Sequence, residues 1–470
     1  MHRLCSIDVG TSGARLSIYG EDLALEARYE SRLELRYHGG RVEQDPLELL
    51  RTFRELVGKA SRRGCKVLGI SLYRGSVLAW RRGEPLSGIV TWMDSRGVEE
   101  YYRLPLHARI ASILPGIGKA LKPGSPALAM RSLARSHPGA RIWSLDAFIA
   151  EVLTGEFTSD PGQAALTGLY NPYTLKPLTI VQRLLSLGLE VPKLAYHDEP
   201  LTSIEGMQVG PLVPDQQAAS LGLACLRPGC IRVTLGTGMF ISAPLEERPP
   251  LAMGSLVPLL NLATREERMY GVEGFAAGVG IVYEAFAKVL GGFRELEEKA
   301  RMAREASPVV PVLAGLRTPY MPLLRGAVLG VAPGFTGETL ARGLVAGTIL
   351  TFLAIYREVK RLAGPGEVRV GGGLSRLGIL VSGIAGSLRT RVYRSVDYND
   401  SARGAALLAG YASGLLSRRE LLNPSVALEE VEPAGGWPAG EDVGDWLRVI
   451  GVLSSRSFSE SLERIRRSRS

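Results

Sequence analysis

Asp8-Val9-Gly10-Thr11-Ser12-Gly13-Ala14-Arg15 sets a carboxylate, a glycine-flanked turn with two hydroxyls and a guanidinium in one short run. Backbone N–H groups in such a turn, with the Thr11 and Ser12 hydroxyls, can converge on phosphate oxygens. Arg15 would add charge, and Asp8 at a strand end can hold Mg2+ through its waters. An ordinary hairpin turn has the same composition, so the motif gains weight from a second one, Thr234-Leu235-Gly236-Thr237-Gly238. A third glycine run, Val370-Gly371-Gly372-Gly373-Leu374-Ser375, leaves room for a flat group such as a purine, or is a flexible strand-to-helix loop. In Pro214-Asp215-Gln216-Gln217-Ala218-Ala219 the acid either caps a helix or, facing a cleft, takes the proton from an attacking hydroxyl. Trp92-Met93-Asp94-Ser95-Arg96, with Tyr73-Arg74 upstream, sets an aromatic face beside an acid and guanidinium groups. That mixture suits a polyol, whose C–H face stacks while its hydroxyls hydrogen-bond.

These motifs need elements to position them. Residues 4–20 read as a hairpin, 46–60 as a helix with near-3.6 apolar spacing, and 66–72 as a strand. The pattern returns later: a hairpin over 230–242, a long apolar helix over 338–362, and a strand over 367–370 that runs into the glycines. Two α/β domains, each opening with a phosphate-sized turn, would set those turns face to face across a ligand cleft. The division expected is 1–224, 225–433 and a C-terminal appendage, 434–470, with a basic, serine-rich and partly disordered end.

Composition narrows the class. The 470 residues are 46% hydrophobic and 22% charged, which excludes a disordered chain. Net charge is +9, but the arginines are scattered rather than gathered in a stripe, which argues against nucleic acid. Lysines number nine. Cys5, Cys65, Cys225 and Cys230 have no zinc-type spacing and are expected as buried free thiols. The N-terminus reaches Asp8 before an apolar stretch forms, and the longest uncharged stretch, 249–264, is broken by prolines. A soluble, cytoplasmic protein without membrane contact is expected. Walker A and Rossmann signatures are both missing, which argues for nucleotide binding of the actin-like kind.

Taken in order, the motifs resemble the FGGY family of carbohydrate kinases over about residues 5–416. Trp92–Arg96 is similar to its W-x-D-x-R segment, and Leu153-Thr154-Gly155 with Asp160 and Thr167 to its LTG…D…T stretch. Gly404–Gly410 is similar to its closing helix. The resemblance implies an α/β fold of two actin-like (ribonuclease H-like) domains with a ligand cleft between them, using ATP and Mg2+ to phosphorylate a polyol or sugar. It implies Asp215 as catalytic base, Arg74, Trp92, Asp94 and Gln216 at the substrate, and Asp8 near the metal. Thr11, Ser12, Arg15, Gly236, Thr237, Gly372 and Gly373 would hold the nucleotide. The D-Q-Q-A-A and T-x-G-T-G-x-F runs lean towards glycerol kinases, which carry a substrate-binding Glu where this chain has Gly75; Arg74-Gly75 also matches the His-Gly of xylulose kinases. Glycerol therefore stands slightly ahead of a pentulose as acceptor. A nucleotide-binding regulatory module with a decayed sugar site is the alternative of another class, and oligomeric state, including a homodimer, is left open.

Overall fold

The computed structural model describes residues 3–20, 23–313 and 315–467. Arg3–Gly10 and Gly13–Tyr19 form the first hairpin, with Asp8 opposite Arg15. Leu25–Arg32 adds a third antiparallel strand. The helix Pro46–Arg62 follows, entered through Asp45, whose carboxylate accepts the Leu47 N–H at 2.8 Å, and Pro46 fits its first turn. It buries Leu49, Leu50, Phe53, Leu56 and Val57, and returns the chain as the strand Cys65–Leu72, parallel to Arg3–Gly10. Met207–Pro214 pairs parallel to that strand.

The second lobe repeats this plan. Cys230–Leu235 and Met239–Pro244 make a hairpin, and Arg268–Ala276 is its third antiparallel strand. The helix Gly337–Ala363 leads to Glu367–Gly371, parallel to Cys230–Leu235, and then to Val392–Ser395. In both mixed sheets the spatial order is third, second, first, fourth, fifth strand, with extra strands at the edges. A separate hydrophobic core lies in each lobe. Gly337–Ala363 is the described helix long and apolar enough to cross a membrane, and 83% of its most apolar window is buried inside the protein.

Space does not follow a single cut in the sequence. The helix Asp400–Ala412, beyond the second sheet's central strands, packs on the first sheet and on Asp215–Gly222. Its Ala402, Ala406 and Ala409 share a core with Leu4, Tyr19 and Val67. The tail also differs from an appendage. Val443–Leu453 is a helix that buries Val443, Trp446 and Ile450 in the second core, because its apolar side chains recur at helical spacing. Arg456–Arg467 continues as a helix, whereas residues 468–470 of the basic end lie outside the described residues.

The cysteines are not free thiols. Cys5 is bonded to Cys65 across neighbouring parallel strands, and Cys225 to Cys230 just before the second hairpin. Spacing alone could not show this, since the first pair is 60 residues apart and meets only through the sheet. A cross-link closing a loop of that length stabilises by about 4 kcal/mol in the chain-entropy treatment, and the short second loop contributes less. A Cys5→Ser, Cys65→Ser variant should therefore melt well below the parent under oxidising conditions. Thermal unfolding with and without reductant checks it; a parent whose melting temperature ignores reductant would refute the contribution.

Candidate active site

A cleft of about 1320 Å3 runs between the lobes. Asp8, Thr11, Ser12, Arg15, Arg74, Trp92, Asp215, Gln216, Gly236, Thr237, Gly372 and Gly373 all line it. The first turn is fixed from behind: the Gln44 amide donates to the Thr11 carbonyl at 2.8 Å, and the buried Tyr73 hydroxyl donates to Gln44 at 2.6 Å. Ser12 at its tip is exposed. Arg15 pairs with Glu30 and lies 3.8 Å from Asp8, so its charge is shared between two acids. The second turn is closed by the Gly236 N–H on the Gly238 carbonyl at 2.9 Å, and the Gly280 N–H at a helix start donates to the Thr237 carbonyl at 3.0 Å. Gly372 has φ +87°, a left-handed conformation natural to glycine, and the buried Asp400 carboxylate lies so close to Gly371 that a Cβ there would collide with it.

Asp215 is the first helical residue of Asp215–Gly222; Pro214 holds the cap position, so the acid is free of that duty. One of its oxygens accepts the Gln216 N–H at 2.8 Å, the other the Gln216 amide at 3.2 Å, and Arg74 Nε lies 3.6 Å away. Burial in the cleft pushes its carboxyl up to about 6; Arg74 opposes the shift and Asp8 adds to it. Arg74 Nη2 donates to Glu273 at 2.6 Å, and Glu273 also meets Arg232 at 3.3 Å. Arg232, fully buried, further donates to Ser242, Gln216 and Thr234. Burial pushes even this guanidinium down to about 10, with Glu273 opposing.

Asp94 does not reach the cleft. Its side chain is buried, accepting the Val42 N–H and three donors of Arg96, so it fixes the Trp92 segment instead of facing a substrate. Asp160 likewise starts the helix Pro161–Leu166 and pairs with His197 at 2.5 Å. Sequence reading missed Glu273 and Arg232. The available signal was a charge inside an apolar strand, as in Cys-Ile-Arg-Val-Thr-Leu.

A metal fits only narrowly. Among the described residues no group of three or more His, Cys, Asp or Glu side chains gathers. Asp8 lines the cleft, accepting the Ser71 hydroxyl with one oxygen while the other lies 3.8 Å from Arg15, a single carboxylate of the sort that suits Mg2+ carried in with phosphates.

Residues 4–182 match the N-terminal domain, and residues 232–413 the C-terminal domain, of the FGGY family of carbohydrate kinases. The chain belongs to that family. It is a carbohydrate kinase, an ATP-dependent phosphotransferase with an alcohol acceptor. A glycerol kinase of Citrifermentans bemidjiense is 30% identical over 454 residues, covering 88% of this chain and 91% of that protein. Among solved structures, Plasmodium falciparum glycerol kinase with ADP superposes with TM-score 0.79 at 19% identity, covering 96% of this chain and 98% of that one. A ligand-bound xylulose kinase of Lactobacillus acidophilus gives 0.81 at 16% identity, covering 96% and 97%.

Glu273→Ala in this kinase leaves the buried Arg232 without its acid and removes one acid from Arg74, which should cost about 3–5 kcal/mol of stability. Denaturant unfolding measures it; a loss below about 1 kcal/mol would mean that Glu273 is not the counter-charge.

Proposed function

We propose that the chain transfers the γ-phosphoryl group of ATP to a primary hydroxyl of a small polyol, with glycerol ahead of a ketopentose. The observation carrying this reading is Asp215 at the cleft, beside Arg74 and between the two glycine-threonine turns. Asp215 accepts the acceptor hydroxyl's proton as its oxygen bonds the γ-phosphorus, and the bond from that phosphorus to the bridging oxygen breaks to release ADP. Arg74 and Gln216 orient the Asp215 carboxylate and the acceptor, and Trp92 packs against its C–H face. Thr11, Ser12 and Arg15 on one lobe and Gly236 and Thr237 on the other receive the phosphates. Gly372 and Gly373 leave space for the adenosine. Asp8 would hold Mg2+, which supplies neutralisation of phosphate charge. The glycerol kinase relative supports glycerol, and the xylulose kinase fold match supports the ketopentose as second choice. Gly75 removes an acidic acceptor from the substrate end, and this is where the two choices part.

A base works only when ionised, so kcat/KM should rise with pH through about 6, the value to which burial lifts Asp215. Asp215→Asn should lower kcat by roughly 10²- to 10⁴-fold while nucleotide binding persists. A coupled ADP-release assay across pH measures both; a variant with near-parental turnover removes Asp215 from the role.

A further inference from the structure

The cleft continues past the residues of phosphoryl transfer. The Arg74 guanidinium lies 5.3 Å from the Phe240 ring centre, and Phe240 stacks on Phe275 at 5.4 Å. The Phe275 carbonyl accepts the Thr318 N–H at 3.2 Å, which brings Arg317 to the same wall. Lys119 and Lys122 face it from the first lobe, two of only nine lysines in the chain.

Among the described residues these three cations have no acid partner. Lys119 donates to the Leu256 carbonyl, Arg317 donates to the Pro123 carbonyl at 3.0 Å, and the Lys122 ammonium sits 5.2 Å from the Tyr320 ring centre. No described Asp or Glu makes an ion pair with any of them, whereas Arg15, Arg74, Arg96, Arg232 and Arg403 each have one. The Tyr320 hydroxyl is buried and has no hydrogen-bond partner among the described residues. Burial, with the charge of Lys122 second, pushes the Lys119 ammonium down to about 8, and burial pushes Arg317 down as well.

A carbonyl satisfies one donor of a lysine or an arginine, which carry three and five. The three side chains line the cleft half-buried, with donors left over and no carboxylate beside them, and an incoming anion supplies the missing charge. The backbone is shaped to permit this. Gly124, next to Pro123, has φ +79°, and a Cβ there would collide with the Arg317 guanidinium. Gly124 also lies against Gly97, just after the Trp92 segment, so the cations belong to the acceptor's side of the cleft.

We infer that the acceptor is a polyol or sugar acid, whose end remote from the phosphorylated hydroxyl carries a carboxylate or phosphate held by Lys119, Lys122, Arg317 and the Tyr320 hydroxyl. This rests on the kinase reading above and specifies its substrate class. The glycerol-like reading then describes the reacting end of a charged molecule.

Matched acceptors test it on the full chain with Mg·ATP: glycerate against glycerol, gluconate against glucitol, and ribulose 5-phosphate against ribulose. At least one acid should exceed its neutral partner by about tenfold or more in kcat/KM, the scale of one charge-assisted contact. The carboxylate and phosphate pairs tell which anion is meant. Arg317→Ala should cut that ratio about tenfold, Arg317→Lys less, and Lys122→Gln provides a second variant should Arg317→Ala not fold. Calorimetric titration of the same compounds without nucleotide reads the anion pole independently of turnover. If an acid binds and Arg317→Ala releases it while nothing is phosphorylated, the anion site stands and the kinase assignment of this acceptor falls. If neutral polyols are turned over and no acid is preferred in either turnover or binding, the inference is wrong and the kinase reading survives.

Discussion

Arg232, Glu273, Arg74 and Asp215 form one run of alternating charge across the cleft floor, and much of the site depends on it. The first two stand on strands of the second lobe, the last two at strand ends of the first. Arg232 and Glu273 are buried, and such charges are tolerable only when each finds its opposite, because isolated burial of a charge costs several kcal/mol. The contact between Arg74 and Glu273 therefore ties the lobes together through electrostatics rather than through apolar area. It also divides the charge of Arg74. Glu273 holds the guanidinium at 2.6 Å and Asp215 only at 3.6 Å, so Asp215 receives partial compensation and its carboxyl stays above the ordinary range. Burial lifts this carboxyl, and the distance at which Arg74 is held limits how far it is drawn back.

The same lobes are joined by backbone packing. Asp400–Ala412 begins beside the glycine-rich loop of the second lobe, where Asp400 lies against Gly371, and then crosses onto the first sheet. Small residues on that face allow the approach: Gly404 lies against Ala218 so closely that a side chain there would strike its carbonyl. The helix carrying Asp215 is thus held by a helix anchored at the glycine loop. A shift of either lobe would be felt at both ends, which is how a fold of two halves can couple closure to the geometry of one carboxylate.

The local part of this arrangement was legible in the residues. Hairpins over 4–20 and 230–242, the helix from Pro46, the long apolar helix and the glycine loop all announce themselves through spacing and turn chemistry. What was not legible is non-local. Asp94 looked like a substrate ligand because it follows a tryptophan, yet Arg96, two residues on, and the Val42 backbone, 52 residues away, engage it. Glu273 sits in a strand whose neighbours hide its purpose until Arg74, 199 residues earlier, arrives opposite. Cys5 meets Cys65 only because parallel pairing sets them side by side. The C-terminal helix looked like a tail because its apolar stripe has no meaning without the surface it covers.

The distribution of compensation then becomes informative in its own right. Arginine is abundant in this chain, and where it is buried it is as a rule answered: Arg96 by Asp94 and Glu43, Arg403 by Asp397 and Asp400, Arg232 by Glu273. Lys119, Lys122 and Arg317, half-buried in one wall of the cleft, have no such acid among the described residues, and their charge gives the cleft a field along its length. Its negative end lies at Asp8 and Asp215, and its positive end lies beyond Phe240 and Phe275. In a narrow space with low-dielectric walls such a field orients a bound molecule strongly. A neutral polyol would feel little of it and could enter either way round. A molecule charged at one end would be turned so that its hydroxyl terminus meets Asp215, and the orientation needed for in-line transfer would be supplied by electrostatics before any hydroxyl is recognised.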